Sequence, residues 1–365
     1  MNAAGRILSK AVEGARISAE EAVRLFEGVE LPELGLAADA VCRRLHPEPF
    51  RTYVVDRNIN YTNICVSKCR FCAFYRAADS PEAYLLSSEE IHEKIAEAVG
   101  LGATQILMQG GLHPDLDISY YERMVRGIRE RFKVHVHSFS PPEIVHVARV
   151  SGLTIGDAIA RLKAAGLDSI PGGGAEILTD ACRSGLSPSK CTTQEWLDVM
   201  ETAHRLGVPT TATMMFGHIE SFADRVEHLI RIRELQERTG GFTAFIPWTF
   251  QPANTKLGGE AVGGYDYLRT LAISRLVLDN FRNIQASWVT QGAKIGQVAL
   301  YFGANDLGST MIEENVVAAA GVSFHMSEEE LRQAITEAGY TPCRRDTCYR
   351  VLEYVVDSPR RREEH

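Results

Sequence analysis

The 365-residue sequence has no apolar run long enough to cross a bilayer, and its start, MNAAGRILSKAVEGARI, lacks the continuous apolar core of a secretory signal. These absences lead us to expect a cytoplasmic chain with no membrane partner. Net positive charge is lacking too. With 39 Lys and Arg against 47 Asp and Glu, the formal charge is −8, the wrong sign for a nucleic-acid surface. No composition shift and no Pro- or Ser-rich linker marks an internal boundary. Gly172-Gly173-Gly174 is too short and too glycine-rich to be a G-x-G-x-x-G dinucleotide fingerprint. What is present, 45% hydrophobic and 24% charged residues, describes an ordinary globular protein with a large core, and small-molecule chemistry is the default.

The most specific stretch is Asn60-Tyr-Thr-Asn-Ile-Cys65-Val-Ser-Lys-Cys69-Arg-Phe-Cys72-Ala-Phe-Tyr75, which places three of the eight cysteines at Cys-x3-Cys-x2-Cys. A closed structural zinc site takes four ligands, usually as two separated pairs, and no second Cys-x2-Cys or His-x3-His lies nearby. Ferredoxin clusters are held by four thiolates. Three thiolates on one loop therefore suit a [4Fe-4S] cluster at Cys65, Cys69 and Cys72 with one iron left open for a small-molecule ligand. Zinc with a distant fourth ligand is the alternative. Cys42, Cys182, Cys191, Cys343 and Cys348 read as inert thiols of a reducing compartment.

Along the chain, Ser18-Ala-Glu-Glu21 is a capping-box start, and residues 18–45 read as helices forming an N-terminal helical cap over residues 1–50. From residue 51 to 325 short β-rich runs alternate with helical patterns. The runs are Tyr53–Asn60, Gln105–Met108, Val134–Phe139, Ser169–Ile170, Thr210–Met215, Thr243–Pro247, Ile284–Trp288 and Leu300–Gly303. Helical patterns lie between them at Ser88–Leu101, Tyr120–Phe132, Ile155–Ala165, Thr193–Leu206, Phe222–Thr239 and Tyr265–Phe281. Eight alternations favour an α/β fold of the TIM-type (β/α)8 barrel class over a doubly wound sheet. Residues 326–365, with a helical pattern at Glu328–Ala338, read as a C-terminal helical extension and a solvated charged tail from Asp357 to His365.

Barrel enzymes work at the C-terminal ends of their strands, and here those ends are rich in glycine and in polar and aromatic residues. Gly110-Gly111 follows the second run, Ser140-Pro-Pro-Glu143 the third, Gly172-Gly-Gly-Ala-Glu176 the fourth, and Gly217-His218-Ile-Glu220 the fifth. Trp248, Phe250 and Trp288 are placed either to pack an aromatic substrate or to seal the mouth. His135-Val-His137 puts two imidazoles on one face of a strand, more simply satisfied core groups than a second metal site.

Cys65, Cys69 and Cys72, with Phe71 just before the last, resemble the signature of the radical S-adenosylmethionine enzymes. That resemblance implies two cofactors, a [4Fe-4S] cluster and S-adenosyl-L-methionine, whose cleavage gives methionine and a 5′-deoxyadenosyl radical. It implies a cofactor-binding set of Phe71, Gly110, Gly111, Ser140 and Glu176, although Leu112 stands where the family carries a glutamate and Thr213 where it carries a glycine. It also implies a low-potential electron donor such as flavodoxin or ferredoxin. Asn58-Ile-Asn-Tyr-Thr-Asn63, Gln109-Gly-Gly-Leu-His-Pro114, Phe139-Ser-Pro-Pro-Glu143, Phe245-Ile-Pro-Trp-Thr-Phe-Gln-Pro252 and Gly303-Ala-Asn-Asp-Leu-Gly308 are similar to the branch serving the futalosine route to menaquinone. Aminofutalosine-forming enzymes and those building the deazaflavin chromophore share much of this pattern. The branch implies dehypoxanthine futalosine as substrate: hydrogen leaves the ribose C4′, the carbon radical adds to the neighbouring benzoate ring, and one-electron oxidation with proton loss restores aromaticity. His218, Glu220 and Asp306 are the candidate catalytic bases, His218 first, since an imidazole is neutral at working pH. A non-catalytic iron-sulfur protein for electron transfer or structure is the reading of another class. It requires four protein ligands and no cofactor cleavage.

Overall fold

Residues Asp56–Ile59, Gln105–Met108 and His135–Ser138 are buried along almost their whole length, as strands covered on both faces must be. In the computed structural model, which describes residues 2–355, they pair in parallel, with Ile59 opposite Met108 and Met108 opposite Ser138. Single bridges, His137 to Ser169 and Ile170 to Thr210, insert a fourth strand of two residues. Thr210–Phe216, Phe242–Thr249 and Asn283–Ile284 continue the ring. The bridge from Gln285 to Asp306 and the pairing of Thr52 with Asp306 and Val54 with Ser309 close it through Phe50–Val54, which runs into Asp56–Ile59 as the first strand. The fold is a (β/α)8-type barrel.

Local chemistry starts the outer helices close behind the strands. Ser87 with Glu90, Thr192 with Glu195, and Ser221 with Asp224 each form a capping box, and Gly166 and Gly240 end two of the helices in left-handed conformation. The Ser18–Glu21 box also forms. The N-terminal helices Ala3–Val12, Ala19–Gly28 and Leu31–Leu45 do not close the barrel mouth. They pack outside it, against Phe222–Thr239 and Gly264–Val277, where Phe26 stacks on Phe222 at 4.8 Å.

Three expectations need correction. The seventh strand is Asn283–Ile284 rather than Ile284–Trp288, and Trp288 opens the short helix Trp288–Gln291. The eighth strand is Asp306–Ser309, whereas Leu300–Gly303 is the turn after helix Ala293–Ala299, with Gly303 at φ 100°. A short apolar run is ambiguous between a strand and the buried end of a helix, and here the helix wins. The C-terminal extension is not wholly helical: helix Glu328–Glu337 leads into strands Thr341–Arg345 and Val351–Tyr354. The first of these lies parallel to Phe50–Tyr53, extending the sheet at the barrel floor. The charged tail from Asp357 to His365 lies outside the described residues.

Candidate active site

The cysteine loop leaves the first strand and is pinned from several sides. Gly111 N–H donates to the Thr62 carbonyl (2.9 Å), Val66 N–H to Leu112 (3.0 Å), Arg70 N–H to Leu186 (2.9 Å) and Leu257 N–H to Arg70 (2.8 Å). Glycine is demanded at the second-strand turn by this packing. A Cβ on Gly111 would sit 2.2 Å from the Ile64 carbonyl oxygen, and one on Gly110 would sit 2.4 Å from the Tyr61 ring.

Burial raises the Cys65 thiol and pushes Cys72 up to about 11. Backbone N–H groups of Leu112 and Ser67 at Cys65, and of Tyr75 and Phe74 at Cys72, act the other way and favour the thiolate, as does the Lys190 ammonium. Cys69 is close enough to both to repel their charges. Thiols gathered on one loop, with N–H donors and a cation to compensate thiolate charge, fit an iron-sulfur cluster, whose potential such groups tune. Among the described residues, no three His, Cys, Asp or Glu side chains converge as a single metal ion requires.

Two charged residues tie the neighbouring strand ends to this loop. Glu143 is fully enclosed and accepts from Tyr61 Oη (2.6 Å), Gly110 N (3.0 Å), Ser140 N (2.8 Å) and Ser140 Oγ (2.5 Å). Burial raises its proton affinity against the pull of those four bonds. Glu176, also buried and at φ 44°, pairs with Lys190 Nζ at 2.6 Å, and that ammonium stands 5.2 Å over the Phe71 ring. Burial disfavours both charges. The pair nonetheless holds Glu176 below and Lys190 above the usual range. Phe71, Gly110, Gly111, Ser140 and Glu176 are thus brought around the cysteine loop. Thr213, the departure from glycine, donates to the Gly172 carbonyl at 2.7 Å and holds the fourth-strand turn.

Below this rim lies a barrel cavity of about 250 Å³. Trp248, Ile246, Trp288 and Val289 supply apolar and indole lining. Asp56, Asn58, His137 and Glu314 supply polar groups, and Arg345, Thr347 and Tyr349 from the C-terminal ribbon reach the floor. His135 and His137 both bond the Ser169 hydroxyl, at 2.7 and 2.6 Å, so the pair is a core network, with His137 kept neutral by burial at a pKa of about 3. Burial raises the proton affinity of Asp56, against its bonds from Ser309 and Gln105.

None of the three candidate bases lines this cavity. His218 Nε2 donates to the Met215 carbonyl (3.0 Å) and Nδ1 lies 2.9 Å from Glu220 Oε2, with both side chains shielded from solvent. Glu220 also takes Arg225 Nε at 2.8 Å, and Arg225 continues to Asp266 at 3.0 Å. The loop after the fifth strand turns these groups away from the axis into an ion-pair cluster. Asp306 begins its strand rather than ending it, and at the floor it receives Arg345 Nε (2.5 Å) and Thr52 Oγ1 (2.5 Å). All three are committed to ion pairs and hydrogen bonds within the protein. Burial opposes the Glu220 charge, but His218 and Arg225 hold its pKa down to about 2, so its stabilising contribution is complete above about pH 4.5 and is lost as pH falls toward 2. Glu220→Gln is therefore expected to destabilise the fold by about 3 kcal/mol at pH 7, with the gap to wild type narrowing as denaturant titrations move from pH 4.5 toward 2.

Sequence reasoning missed Glu143, Lys190, Asp56 and Glu314 as site residues. The Ser-x-x-Glu spacing of Ser140 and Glu143 was a usable signal; the others reach the site only through tertiary packing.

The Radical SAM superfamily pattern matches residues 59–232, and that of the CofH/MqnC C-terminal region matches residues 239–358. The chain is 48% identical to the cyclic dehypoxanthine futalosine synthase of Halalkalibacterium halodurans, covering 96% of this chain and 95% of that protein. It is 46% identical to the synthase of the same name in Streptomyces coelicolor, over 97% and 90%. A 5-amino-6-(D-ribitylamino)uracil–L-tyrosine 4-hydroxyphenyl transferase of Archaeoglobus fulgidus is 47% identical over 83% and 89%. Among solved structures, the FeFe-hydrogenase maturase HydG of Carboxydothermus hydrogenoformans superposes with TM-score 0.76 at 18% identity, covering 95% of this chain and 80% of that one. Methylornithine synthase superposes at 0.71 and 17%, over 93% and 97%. These two share the fold.

Proposed function

Because the chain belongs to the radical SAM superfamily, whose members use a [4Fe-4S] cluster and S-adenosylmethionine, we propose that it cyclises dehypoxanthine futalosine to cyclic dehypoxanthine futalosine in menaquinone biosynthesis. The observation that carries the reading is the cavity itself. Its rim residues Gln109 and Gly173 adjoin the turns bearing Gly110 and Glu176, and its walls pair indole and aliphatic side chains with buried acceptors, as a ribosylated benzoate requires.

In this reading Cys65, Cys69 and Cys72 ligate the cluster, and Phe71, Gly110, Gly111, Ser140 and Glu176 surround the cofactor. When bound, the two groups supply a 5′-deoxyadenosyl radical that removes the ribose C4′ hydrogen atom. The protein's own task is positional. Glu143 fixes the Gly-Gly turn against the cysteine loop, the Arg345–Asp306 pair closes the floor against water, and the Trp248 and Trp288 wall holds the benzoate ring against the ribosyl group within about 3–3.5 Å, the near-attack range. The proton lost when aromaticity returns falls to a cavity carboxylate, Asp56 or Glu314, both with proton affinity raised by burial. A low-potential donor of the flavodoxin or ferredoxin class delivers the reducing electron, in the cytoplasm. Residues 51–325 carry the chemistry, with 1–50 and the C-terminal segment as supports.

The relatives named as hydroxyphenyl transferases favour a second reading, transfer of the 4-hydroxyphenyl group of tyrosine to the ribitylaminouracil. Parallel incubations decide between them. The reduced, reconstituted protein is given S-adenosylmethionine with either dehypoxanthine futalosine or tyrosine plus 5-amino-6-(D-ribitylamino)uracil. The cyclase reading expects a product two hydrogens lighter than dehypoxanthine futalosine. A coupled aryl product from the second mixture, with dehypoxanthine futalosine unchanged, overturns it.

A further inference from the structure

The polar wall of the cavity is unusual in what it offers. Asn58, from the first barrel strand, is 3% exposed, and its Nδ2 donates to Glu314 Oε2 at 2.7 Å, which fixes the amide with its oxygen as the uncommitted end. That oxygen is buried and receives no hydrogen bond from any described residue. An unpaired buried acceptor of this kind costs about 1–3 kcal/mol, so a partner is expected in the working state.

Glu314 lies in the loop after the eighth strand. Its Oε1 accepts the N–H groups of Val316 (2.8 Å) and Val317 (3.0 Å), and no cation pairs with it among the described residues, whereas its neighbour Glu313 takes Arg57 and Lys94. A carboxylate offers roughly four acceptor positions, and three are taken. Glu314 is only partly buried although it lines the cavity, so part of its surface faces that space. Asp56 stands close enough to repel its charge. These groups therefore present acceptors to a ligand, and Trp248, Ile246 and Val289 add apolar lining to the same cavity.

We propose that Asn58 Oδ1 and the Glu314 carboxylate form a hydroxyl-recognition subsite that accepts hydrogen bonds from the vicinal 2′- and 3′-hydroxyls of the substrate's ribosyl group. The assignment rests on the cyclase reading above and adds an orientation to it. The ribose turns its diol to the first strand and the eighth-strand loop, which directs the benzoate end away from them. Hydroxyls supply the missing donors.

The test is a cycle between protein and ligand. Equilibrium binding of dehypoxanthine futalosine and of its 2′-deoxy and 3′-deoxy analogues is measured on the cluster-reconstituted wild type, Asn58→Leu and Glu314→Gln. Wild type is expected to bind the parent about tenfold more tightly than at least one deoxy analogue, the equivalent of one buried hydrogen bond. In Asn58→Leu at least one of the two ratios should collapse toward unity, because its hydroxyl has lost its acceptor, and in Glu314→Gln, which keeps an amide oxygen, the ratio at the hydroxyl it receives should shrink without vanishing. Equal affinity of wild type for all three ligands overturns the subsite without reference to the variants. So do ratios that both survive unchanged in folded Asn58→Leu. Turnover is read separately: intact discrimination by a wild type that forms no cyclised product contradicts the cyclase reading and leaves the subsite standing.

Discussion

Alanine at Cys65, Cys69 or Cys72 is expected to reduce 5′-deoxyadenosine formation to background in fully reconstituted protein. The three thiols sit on one loop held by backbone bonds from the turns at Leu112, Leu186 and Leu257. Losing one leaves the cluster with two protein ligands and no defined open iron. The same change at Cys42, Cys182, Cys191, Cys343 or Cys348 should leave cofactor cleavage within about twofold, since the four buried ones behave as small apolar side chains and Cys348 is exposed. Iron content and 5′-deoxyadenosine, measured together on each variant, check both halves. Substantial cleavage by any of the first three would remove the basis of the metal assignment.

Glu143→Leu should produce the second large effect. The substitution strands four hydrogen bonds in a dry environment: the Tyr61 hydroxyl, the Gly110 N–H, and the Ser140 N–H and hydroxyl all lose their acceptor. At about 1–3 kcal/mol for a stranded buried group, folding should weaken by on the order of 3 kcal/mol or more. The local consequence is larger than the global one. Tyr61 and Gly110 are the contacts that seat the second-strand turn against the cysteine loop, so Kd for S-adenosylmethionine should rise about tenfold or more while the iron content of the folded fraction stays near that of wild type. Glu143→Gln keeps an acceptor oxygen and should lie between the two. Cofactor affinity unchanged in the leucine variant would show that Glu143 serves the fold alone.

How much of this was legible in the sequence depended on whether the information was local. The cysteine loop was, because its three thiols are eight residues from first to last and their spacing states their chemistry. The first six barrel strands and the Ser18–Glu21 capping box were, because strand runs and capping boxes are written over four to eight residues. The eighth strand was not. Leu300–Gly303 has the apolar character of a strand but completes a helix, and the true strand, Asp306-Leu-Gly-Ser309, carries polar ends and a glycine. That displacement also moved Asp306 from the working end of the barrel to its floor, where Arg345 neutralises it.

His218 illustrates a different limit. Its position after the fifth strand was read correctly, but the direction of its ring depends on a loop that folds back on Met215 and Glu220. The groups that do reach the cavity, Asp56, Asn58 and Glu314, come from the first strand and the eighth-strand loop, more than 250 residues apart, and meet only when the barrel closes. Asp56 and Asn58 sat inside an expected strand with nothing to distinguish them from ordinary inward polar residues. Lys190 lies in a Ser-Pro-Ser-Lys loop with no motif, and only its ion pair with Glu176 reveals it.

Isotope transfer tests the central claim, that this barrel holds the ribosyl C4′ of dehypoxanthine futalosine for hydrogen removal and closes it onto the benzoate ring. Substrate carrying deuterium only at C4′ is incubated with the reduced, reconstituted protein and S-adenosylmethionine, and both products are resolved by mass. The account predicts deuterium in 5′-deoxyadenosine in step with a cyclised product that has lost the label. Unlabelled 5′-deoxyadenosine, or cyclised product that retains the C4′ deuterium, would contradict it.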